Sequence, residues 1–545
     1  MALLLVFRHA RKMPDLRFRI ASITAAAGQE AILPQTGVTC IVGGNNAGKS
    51  RLLRDIVTSI SGSSSNFEDV VTLSNLELSK DTFSESELRA WLEGRFGPAD
   101  ARGEIPSWGP STTSLNIVLA MAAMGNITNL ANYFLRYVAA SESVSFASGE
   151  YMPMGGDWGP FSMMYKDGSI VEQLSELSQT YFGDGLTYDR VNLNPRLRFG
   201  LVDHSIEVPR IDNPTREYSE AVLALPPLGS QGDGIKAFAG IALRLITDPA
   251  QVFLFDEPET FLHPAQARAL GAWIARIARE RDLQIILSTH DKDLVLGIME
   301  ESRATAASFV RISRPTDVSS FATLDATEVE EAWSDPTLRY SNVLDGLFHQ
   351  TVVVCEGDAD CRFFSAALDE HAARLGRRYG ASEVMFIPTG GKQNLQKPVK
   401  ALRSLDVQVK VIADFDLIQE RSEVRALVEA VGANWTESLQ TNFGVFRGWL
   451  RRNISDWEIV KHGGVSTIRD AVATRAANEF LSELEALGIH VLRIGEMEDF
   501  DHTLDVPKAA PWVSAAIEND VHATNRDVQD LMTRMFPWVA KAQVS

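Results

Sequence analysis

Val252-Phe253-Leu254-Phe255-Asp256-Glu257-Pro258-Glu259-Thr260-Phe261-Leu262-His263-Pro264 is the stretch on which the reading of this chain turns. Four apolar residues in a row predict a short strand buried on both faces. An acidic pair follows at its carboxyl end, where α/β sheets present ligand-binding groups. Beside a bound nucleotide, Asp256 would help hold Mg²⁺ and Glu257 would orient or deprotonate a water aimed at the γ-phosphate. The same residues, taken alone, also fit a buried strand ending in two solvated acids. The flanking sequence decides between the two.

Upstream, Gly43-Gly44-Asn45-Asn46-Ala47-Gly48-Lys49-Ser50 has the form GxxxxGK[ST]. A strand pattern, Gly37 to Val42, runs into it and a helical pattern, Ser50 to Ile60, leaves it, which is the context a phosphate-cradling P-loop requires. The glycines let successive backbone N–H groups face the phosphates, Lys49 contacts β and γ oxygens, and the Ser50 hydroxyl ligates Mg²⁺. ATP is therefore expected, bound through Gly43, Asn45, Asn46, Gly48, Lys49 and Ser50.

Between the P-loop and the acidic strand, residues 61–210 open on Ser61-Gly62-Ser63-Ser64-Ser65, contain several helical patterns, and carry turns such as Gly155-Gly156-Asp157-Trp158-Gly159-Pro160. They predict a mostly helical insertion. Next, Gly229-Ser230-Gln231-Gly232 precedes an apolar helix through Ile246, giving a second anion-binding helix start. Beyond the acidic strand, Pro264 opens an amphipathic helix to Arg281, and the strand Leu283 to Leu287 ends in Ser288-Thr289-His290-Asp291. A histidine there can hydrogen-bond a γ-phosphate, although a lone histidine would be unremarkable.

This ordered set resembles the ABC-type ATPases of the structural-maintenance, repair and RecF-like group over residues 15–320. The resemblance implies Lys49 and Ser50 in the P-loop, Asp256 and Glu257 as the Walker B acids, and His290 as the switch histidine. Ser230 and Gly232 would form the signature, which contacts ATP bound to the opposite subunit, so a homodimer or higher homo-oligomer is expected. Two departures matter. Gly229 to Gly232 is not the usual LSGGQ, and Glu259 to Pro264 stands where transporters carry a different loop, which argues against transporter coupling. A Gln-bearing loop is not identifiable.

Composition bounds the rest. The chain has 545 residues, 45% hydrophobic and 23% charged, ordinary for a globular protein with room for about two to four domains. A formal net charge of -19 excludes a surface coated in nucleic acid throughout, while leaving room for a local basic groove. Cys40, Cys355 and Cys361 form neither a CxxC pair nor a Cys/His metal spacing, so a reducing cytoplasm is expected. The apolar run Ala2 to Phe7 is short, lacks a preceding positive region, and predicts a first strand or ragged start. The apolar run from Leu115 to Leu135 contains Asn116, Asn126, Asn129 and Asn132, which predict a buried helix rather than a membrane span.

Patterning weakens from Arg314 to Asp345, predicting an ATPase domain over 1–345 and a second domain over 346–545 with a C-terminal helical extension. Strand Thr351 to Cys355 ends in Glu356-Gly357-Asp358-Ala359-Asp360. Strand Val384 to Ile387 leads to Thr389-Gly390-Gly391-Lys392-Gln393-Asn394, and Val409 to Ala413 ends in Asp414-Phe415-Asp416. Strand periodicity predicts Asp414 and Asp416 on one face, where they could bind Mg²⁺ with Glu356. Singly, each acid also fits a solvated loop. Together the spacing resembles a TOPRIM domain, and the order of ATPase then TOPRIM resembles the OLD (overcoming lysogenization defect) nuclease family, including its Gabija-type anti-phage members.

That resemblance implies Glu356, Asp360, Asp414 and Asp416 as metal-binding carboxylates, with Glu498 as the late acidic residue, holding Mg²⁺ or, alternatively, Mn²⁺. Lys392 or Lys461 would neutralise charge on the reacting phosphate, although Lys461 also fits a surface lysine. Lys392, Lys397, Lys400 and Arg403, and then Arg447, Arg451, Arg452, Lys461 and His462, are candidates to line a nucleic-acid groove. The fold class expected is α/β: an ABC-type (RecF/SMC-like) P-loop ATPase with a helical insertion, followed by a TOPRIM α/β domain. The expected activity is an ATP-regulated, Mg²⁺-dependent endonuclease cutting DNA in preference to RNA, in anti-phage defence or DNA processing. An accessory defence protein or phage trigger is the expected partner, and no membrane. Two alternatives stand beside it: a PARIS-like sensor ATPase whose TOPRIM effector cleaves tRNA or another RNA, and a non-nuclease ATPase clamp, against which the intact Glu356, Asp414 and Asp416 count.

Overall fold

The computed structural model describes residues 15–62, 70–108, 112–148, 159–191, 195–209, 213, 215–302, 307–314, 318–324, 342–376 and 380–537. The first-strand expectation at residues 2–7, and most of the turn at 155–160, lie outside them. The chain divides into two compact units, Met1–Ala326 and Thr327–Ser545, a division ahead of the boundary expected near residue 345. Among the described residues no helix is long and apolar enough to cross a membrane.

Unit one is built on a six-stranded sheet. In order across the sheet the strands are Ser320–Leu324, Ser308–Ser313, Gly37–Val42, Gln284–Ser288, Val252–Asp256 and Leu135–Ala139. All neighbours are parallel except the first pair. Val252, Phe253, Leu254 and Phe255 are at most 1% exposed, because helices cover both faces of a parallel sheet and leave no solvated side for polar residues. Two of those helices, Pro264–Glu280 and Lys292–Ser302, pack at backbone contact: a Cβ on Gly297 would lie 1.9 Å from the Arg268 carbonyl oxygen. A smaller antiparallel sheet joins Glu30–Ile32, Phe18–Ala25 and Leu73–Lys80. Phe18 anchors it, stacked on Phe134 at 4.9 Å between ring centroids.

The apolar run from Leu115 to Leu135 is not one helix. A helix over Leu115–Ala123 ends, Gly125 turns the chain with φ 79°, a short helix Ala131–Phe134 follows, and Leu135–Ala139 becomes the edge strand beside Val252–Asp256. Glycine with no Cβ adopts that left-handed turn freely, which breaks the periodicity the apolar content suggests. The region read as a helical insertion is therefore mixed. It supplies one strand of the main sheet and two hairpins, Glu104–Pro106 with Thr112–Ser114 and Leu186–Asp189 with Arg196–Phe199.

Unit two is a four-stranded parallel sheet in the order Val384–Pro388, Thr351–Cys355, Gln408–Ala413, Ile489–Val491. Helix Asp358–Arg374 packs on it through Phe363 and Phe364, and Phe363 meets Phe500 and Trp512 at 5.8 and 5.3 Å. Trp512 lies on one of the C-terminal helices, Ala510–Glu518, which with Arg526–Met535 shares the same core.

His490 in the last of these strands is 2% exposed, and neither ring nitrogen has a hydrogen-bond partner among the described residues. Burial, with the nearby charges of Lys410 and Arg534, pushes its pKa down to about 3. The unfolded chain, with an ordinary imidazole near about 6.5, binds the proton first, so stability is lost as pH falls below that value. Between pH 7 and pH 5 this one group should remove about 2 kcal/mol. Denaturant unfolding of the wild type and of His490→Leu at both pH values checks it; an equal pH slope in the two proteins would contradict the assignment.

Candidate active sites

In unit one the chain leaves the strand Gly37–Val42 and curls through Gly43 (φ 145°), Asn46 (φ 60°) and Gly48 (φ 99°) into the helix Lys49–Ser61. A Cβ on Gly43 would lie 2.3 Å from the Ile312 carbonyl oxygen, so glycine alone fits there. The curl turns Lys49 inward to 6% exposure, where its Nζ donates to the Gly43 and Gly44 carbonyls at 3.0 and 3.1 Å. Burial lowers its pKa, and the charges of Glu257, Glu259 and Asp256 oppose that shift. An ammonium held at a helix start is the arrangement a phosphate completes. Asn45 and Asn46 are exposed on the loop, and Ser50 is half-buried in the first turn of the helix.

Asp256 ends its strand between two neighbours: Ser288 Oγ donates to one carboxylate oxygen at 2.6 Å and Tyr137 Oη to the other at 3.1 Å. Tyr137 belongs to the edge strand at Leu135–Ala139, and no local motif marks it in the sequence. Glu257 takes a left-handed backbone, φ 49°, held by its N–H on the Ser288 carbonyl at 3.1 Å. Strain of this kind in a non-glycine residue collects at functional sites. Glu257 Oε1 meets His290 Nδ1 at 3.0 Å, and this hydrogen bond holds the carboxylate pKa low and the imidazole pKa high. Ser230 and Gly232 stand just before the helix Asp233–Thr247, where Ser230 Oγ donates to the Pro227 carbonyl at 2.7 Å. A Cβ on Gly234 would come within 2.7 Å of the Phe261 carbonyl, so this turn is pressed against the loop that follows Glu257.

In unit two the acids gather at the carboxyl edge of the parallel sheet, where such folds place ligands. Glu356 follows its strand and accepts the Asp414 N–H at 3.1 Å; Asp360, in the first turn of its helix, accepts the Gly357 N–H at 2.7 Å. Asp414 and Asp416 are not on a strand. The strand stops at Ala413 and a tight turn, Phe415–Gln419, begins, so the period-2 argument does not place them. Asp416 instead turns to Lys392, whose Nζ lies 2.9 Å from Oδ2, while its Oδ1 is buried without a partner among the described residues. Burial first, then the charge of Asp416, pushes Glu356 up to about 7. Burial, opposed by the Gly357 N–H and reinforced by Glu498 and Glu496, pushes Asp360 up to about 6. Asp414 is held well above the usual carboxylate range by burial and then by Glu356, Asp360, Glu496 and Asp416.

As they stand, no three acidic, histidine or cysteine side chains among the described residues form a ready metal cage. The donor set nonetheless fits a hard divalent cation: oxygen ligands on three chain segments, mutually repelling, with one buried carboxylate oxygen unpartnered. Glu498 accepts the Ala509 N–H at 2.8 Å through one oxygen, and its charge acts on Asp360. The neighbouring Glu496 is the one that faces Asp414, and it is 5% exposed. It binds Lys461 Nζ at 2.6 Å through one oxygen and Lys508 Nζ through the other. Lys461 is thus bound to a buried acid rather than free on the surface. Lys508 has no motif around it that would mark it in the sequence. Arg447, expected in a groove, is 8% exposed; it donates to the Ile418 and Gln419 carbonyls and stacks on Trp457 at 4.3 Å, a packing role.

The first unit is a P-loop ATPase fold, and the second is a TOPRIM-type α/β unit. Comparison with known proteins places them more narrowly. Residues 347–416 match the family "Overcoming lysogenization defect protein-like, TOPRIM domain", and residues 209–297 match "AAA domain, putative AbiEii toxin, Type IV TA system". The chain is similar to the Old nuclease of Escherichia phage P2, 21% identical over 267 residues that cover 45% of this chain and 42% of that protein. It is also similar to the methionine import ATP-binding protein MetN of Photobacterium profundum, 32% identical over 147 residues, 25% of this chain and 42% of MetN. The chain therefore spans less than half the length of these curated relatives. Among solved structures, an Smc head bound to the C-winged helix domain of ScpA aligns with TM-score 0.36 and 14% identity, over 58% of this chain and 98% of that one.

Proposed function

We propose that this chain is an ATP-regulated, Mg²⁺-dependent endonuclease acting on DNA, in anti-phage defence or DNA processing. The observation that carries the reading is the convergence of Glu356, Asp360, Asp414 and Glu496, whose burial and mutual repulsion favour a cation among them. The match to an OLD-like TOPRIM domain and the relative named a nuclease support it. Glu356, Asp360, Asp414 and Asp416 would hold Mg²⁺ or Mn²⁺, with Glu498 an outer candidate. A divalent cation bound there lowers the pKa of water and neutralises charge on a phosphodiester. The chain's own groups do the rest. Lys392 holds Asp416 in place, and Glu496 holds Lys461 and Lys508 together, so that two ammonium groups stand ready for the phosphate oxygens.

In unit one, Lys49 takes the β and γ phosphates, Ser50 and Asp256 serve the nucleotide's Mg²⁺, and Glu257, fixed by His290, orients the attacking water. Ser230 and Gly232 would reach ATP on a second copy, making a homodimer or larger assembly the working form. Hydrolysis then acts as control and cleavage as output. The purified chain, offered plasmid DNA and total tRNA with Mg²⁺ or Mn²⁺, with and without ATP, tests this. DNA cleavage that stops with a chelator and changes with ATP is expected. Cleavage of tRNA alone would move the substrate to RNA, and no cleavage of either with either metal overturns the nuclease reading.

A further inference from the structure

We infer that Glu259 is a positioning residue for ATP hydrolysis, setting the imidazole of His290 that in turn holds Glu257. This rests on the ATPase reading above and deepens it. Glu259 lies two places beyond Glu257, yet its side chain turns inward and is 3% exposed. One oxygen, Oε1, accepts from the Thr289 hydroxyl at 2.6 Å and from the His290 backbone N–H at 3.2 Å. Thr289 is itself fixed: its N–H donates to the Ile41 carbonyl at 3.2 Å, in the strand that feeds the P-loop, and its hydroxyl accepts the Asp291 N–H at 3.0 Å. One buried carboxyl thus ties the acidic loop, the strand end that carries His290, and the P-loop strand together.

The His290 ring is 48% exposed, so packing does little to aim it. Its direction depends on its backbone, and the partner of that backbone amide is Glu259. The second oxygen of Glu259 is buried without a hydrogen-bond partner among the described residues. An orphaned buried oxygen costs stability and offsets the two hydrogen bonds that Oε1 accepts, so the carboxyl adds little net stability. The carboxyl is therefore better explained by the geometry it imposes than by the stability it adds. Burial pushes its pKa up to about 7, and Lys49, Cys40 and His290 are the titratable groups that interact with it. A neutral acceptor of the same shape should then serve nearly as well.

Steady-state ATP hydrolysis by the full chain tests the inference. Glu259→Ala should lower kcat by about tenfold or more while leaving KM for ATP within about threefold, because a displaced catalytic group loses rate rather than binding. Glu259→Gln should keep kcat within about threefold of wild type, since its oxygen still accepts from Thr289 and His290. In a His290→Ala background, Glu259→Ala should change kcat by less than about twofold, the signature of two residues acting in series. A residue needed only for folding would slow both backgrounds equally. That result, or loss of ATP binding in Glu259→Ala, overturns the inference. If Glu259→Ala does not fold, Thr289→Val carries the same cycle: a fall in kcat that vanishes in the His290→Ala background supports the inference, and an equal fall in both overturns it. No ATP hydrolysis by the wild type overturns the ATPase reading and this inference with it, and Glu257→Gln hydrolysing at the wild-type rate removes Glu257 from the reaction and overturns the inference that Glu259 acts through it. Equal effects in both backgrounds overturn the inference alone.

Discussion

Glu257→Gln should bind ATP within a few-fold of wild type and hydrolyse it slower by on the order of a hundredfold to ten-thousandfold. The substitution keeps the size of the side chain and, at φ 49°, asks glutamine for no backbone that glutamate does not already adopt. That backbone is held independently of the carboxylate, by the Glu257 N–H on Ser288 and by the Thr260 hydroxyl on the Glu257 carbonyl at 2.7 Å. What changes is the charge opposite His290 Nδ1, 3.0 Å away, and with it the ability to take or steer a proton from water. Asp256 keeps its own two partners, Ser288 and Tyr137, so the carboxylate proposed to serve the nucleotide's metal keeps its geometry. Nucleotide binding and single-turnover hydrolysis, measured side by side, separate the two effects; a variant that hydrolyses ATP at the wild-type rate would remove Glu257 from the reaction. Its effect on DNA cleavage then reads out the sense of control: cleavage that persists with ATP trapped means that the bound state licenses cutting, and cleavage that stops means that turnover does.

What the sequence made legible follows from how local each signal is. The P-loop, the apolar strand before Asp256, and the strand before His290 are each encoded within a dozen neighbouring residues, and the sheet places them at one edge without further instruction. The apolar run at Leu115–Leu135 misleads because hydrophobicity alone does not distinguish a buried helix from a buried edge strand, and the single Gly125 turn decides between them. Tyr137 reaches Asp256 only because that strand exists. The acids of unit two are legible as residues after strands, but not in their pairings: strand periodicity fails where the strand ends at Ala413. Glu496 and Lys508 come to the site through tertiary packing, with no motif to announce them. Arg447 shows the converse error, since a basic residue in a run of basic residues reads as solvated until its carbonyl partners and Trp457 are seen.

Asp414→Asn should lower metal-dependent cleavage by about three orders of magnitude or more while leaving ATP hydrolysis within a few-fold. Asp414 is the centre of the acid cluster: it is surrounded by the charges of Glu356, Asp360, Glu496 and Asp416, and its own N–H anchors Glu356 at 3.1 Å. The amide keeps that backbone bond and the side-chain volume but withdraws one negative charge from a place where charge is already in excess. Metal affinity falls with it, because hard cations draw on carboxylate charge more than on amide dipoles. The same excess makes a second, opposite prediction for stability. Without divalent metal, removing a buried and repelled charge relieves the fold, so the metal-free unfolding temperature of Asp414→Asn should equal or exceed that of the wild type. Adding Mg²⁺ or Mn²⁺ should raise the wild-type midpoint, since a ligand bound only to the folded state stabilises it, and leave the variant nearly unmoved. Calorimetry with and without metal measures both, and the two signs together distinguish a lost ligand from a damaged fold: a variant that melts lower in the absence of metal and still cuts DNA at the wild-type rate would place the cleavage chemistry elsewhere.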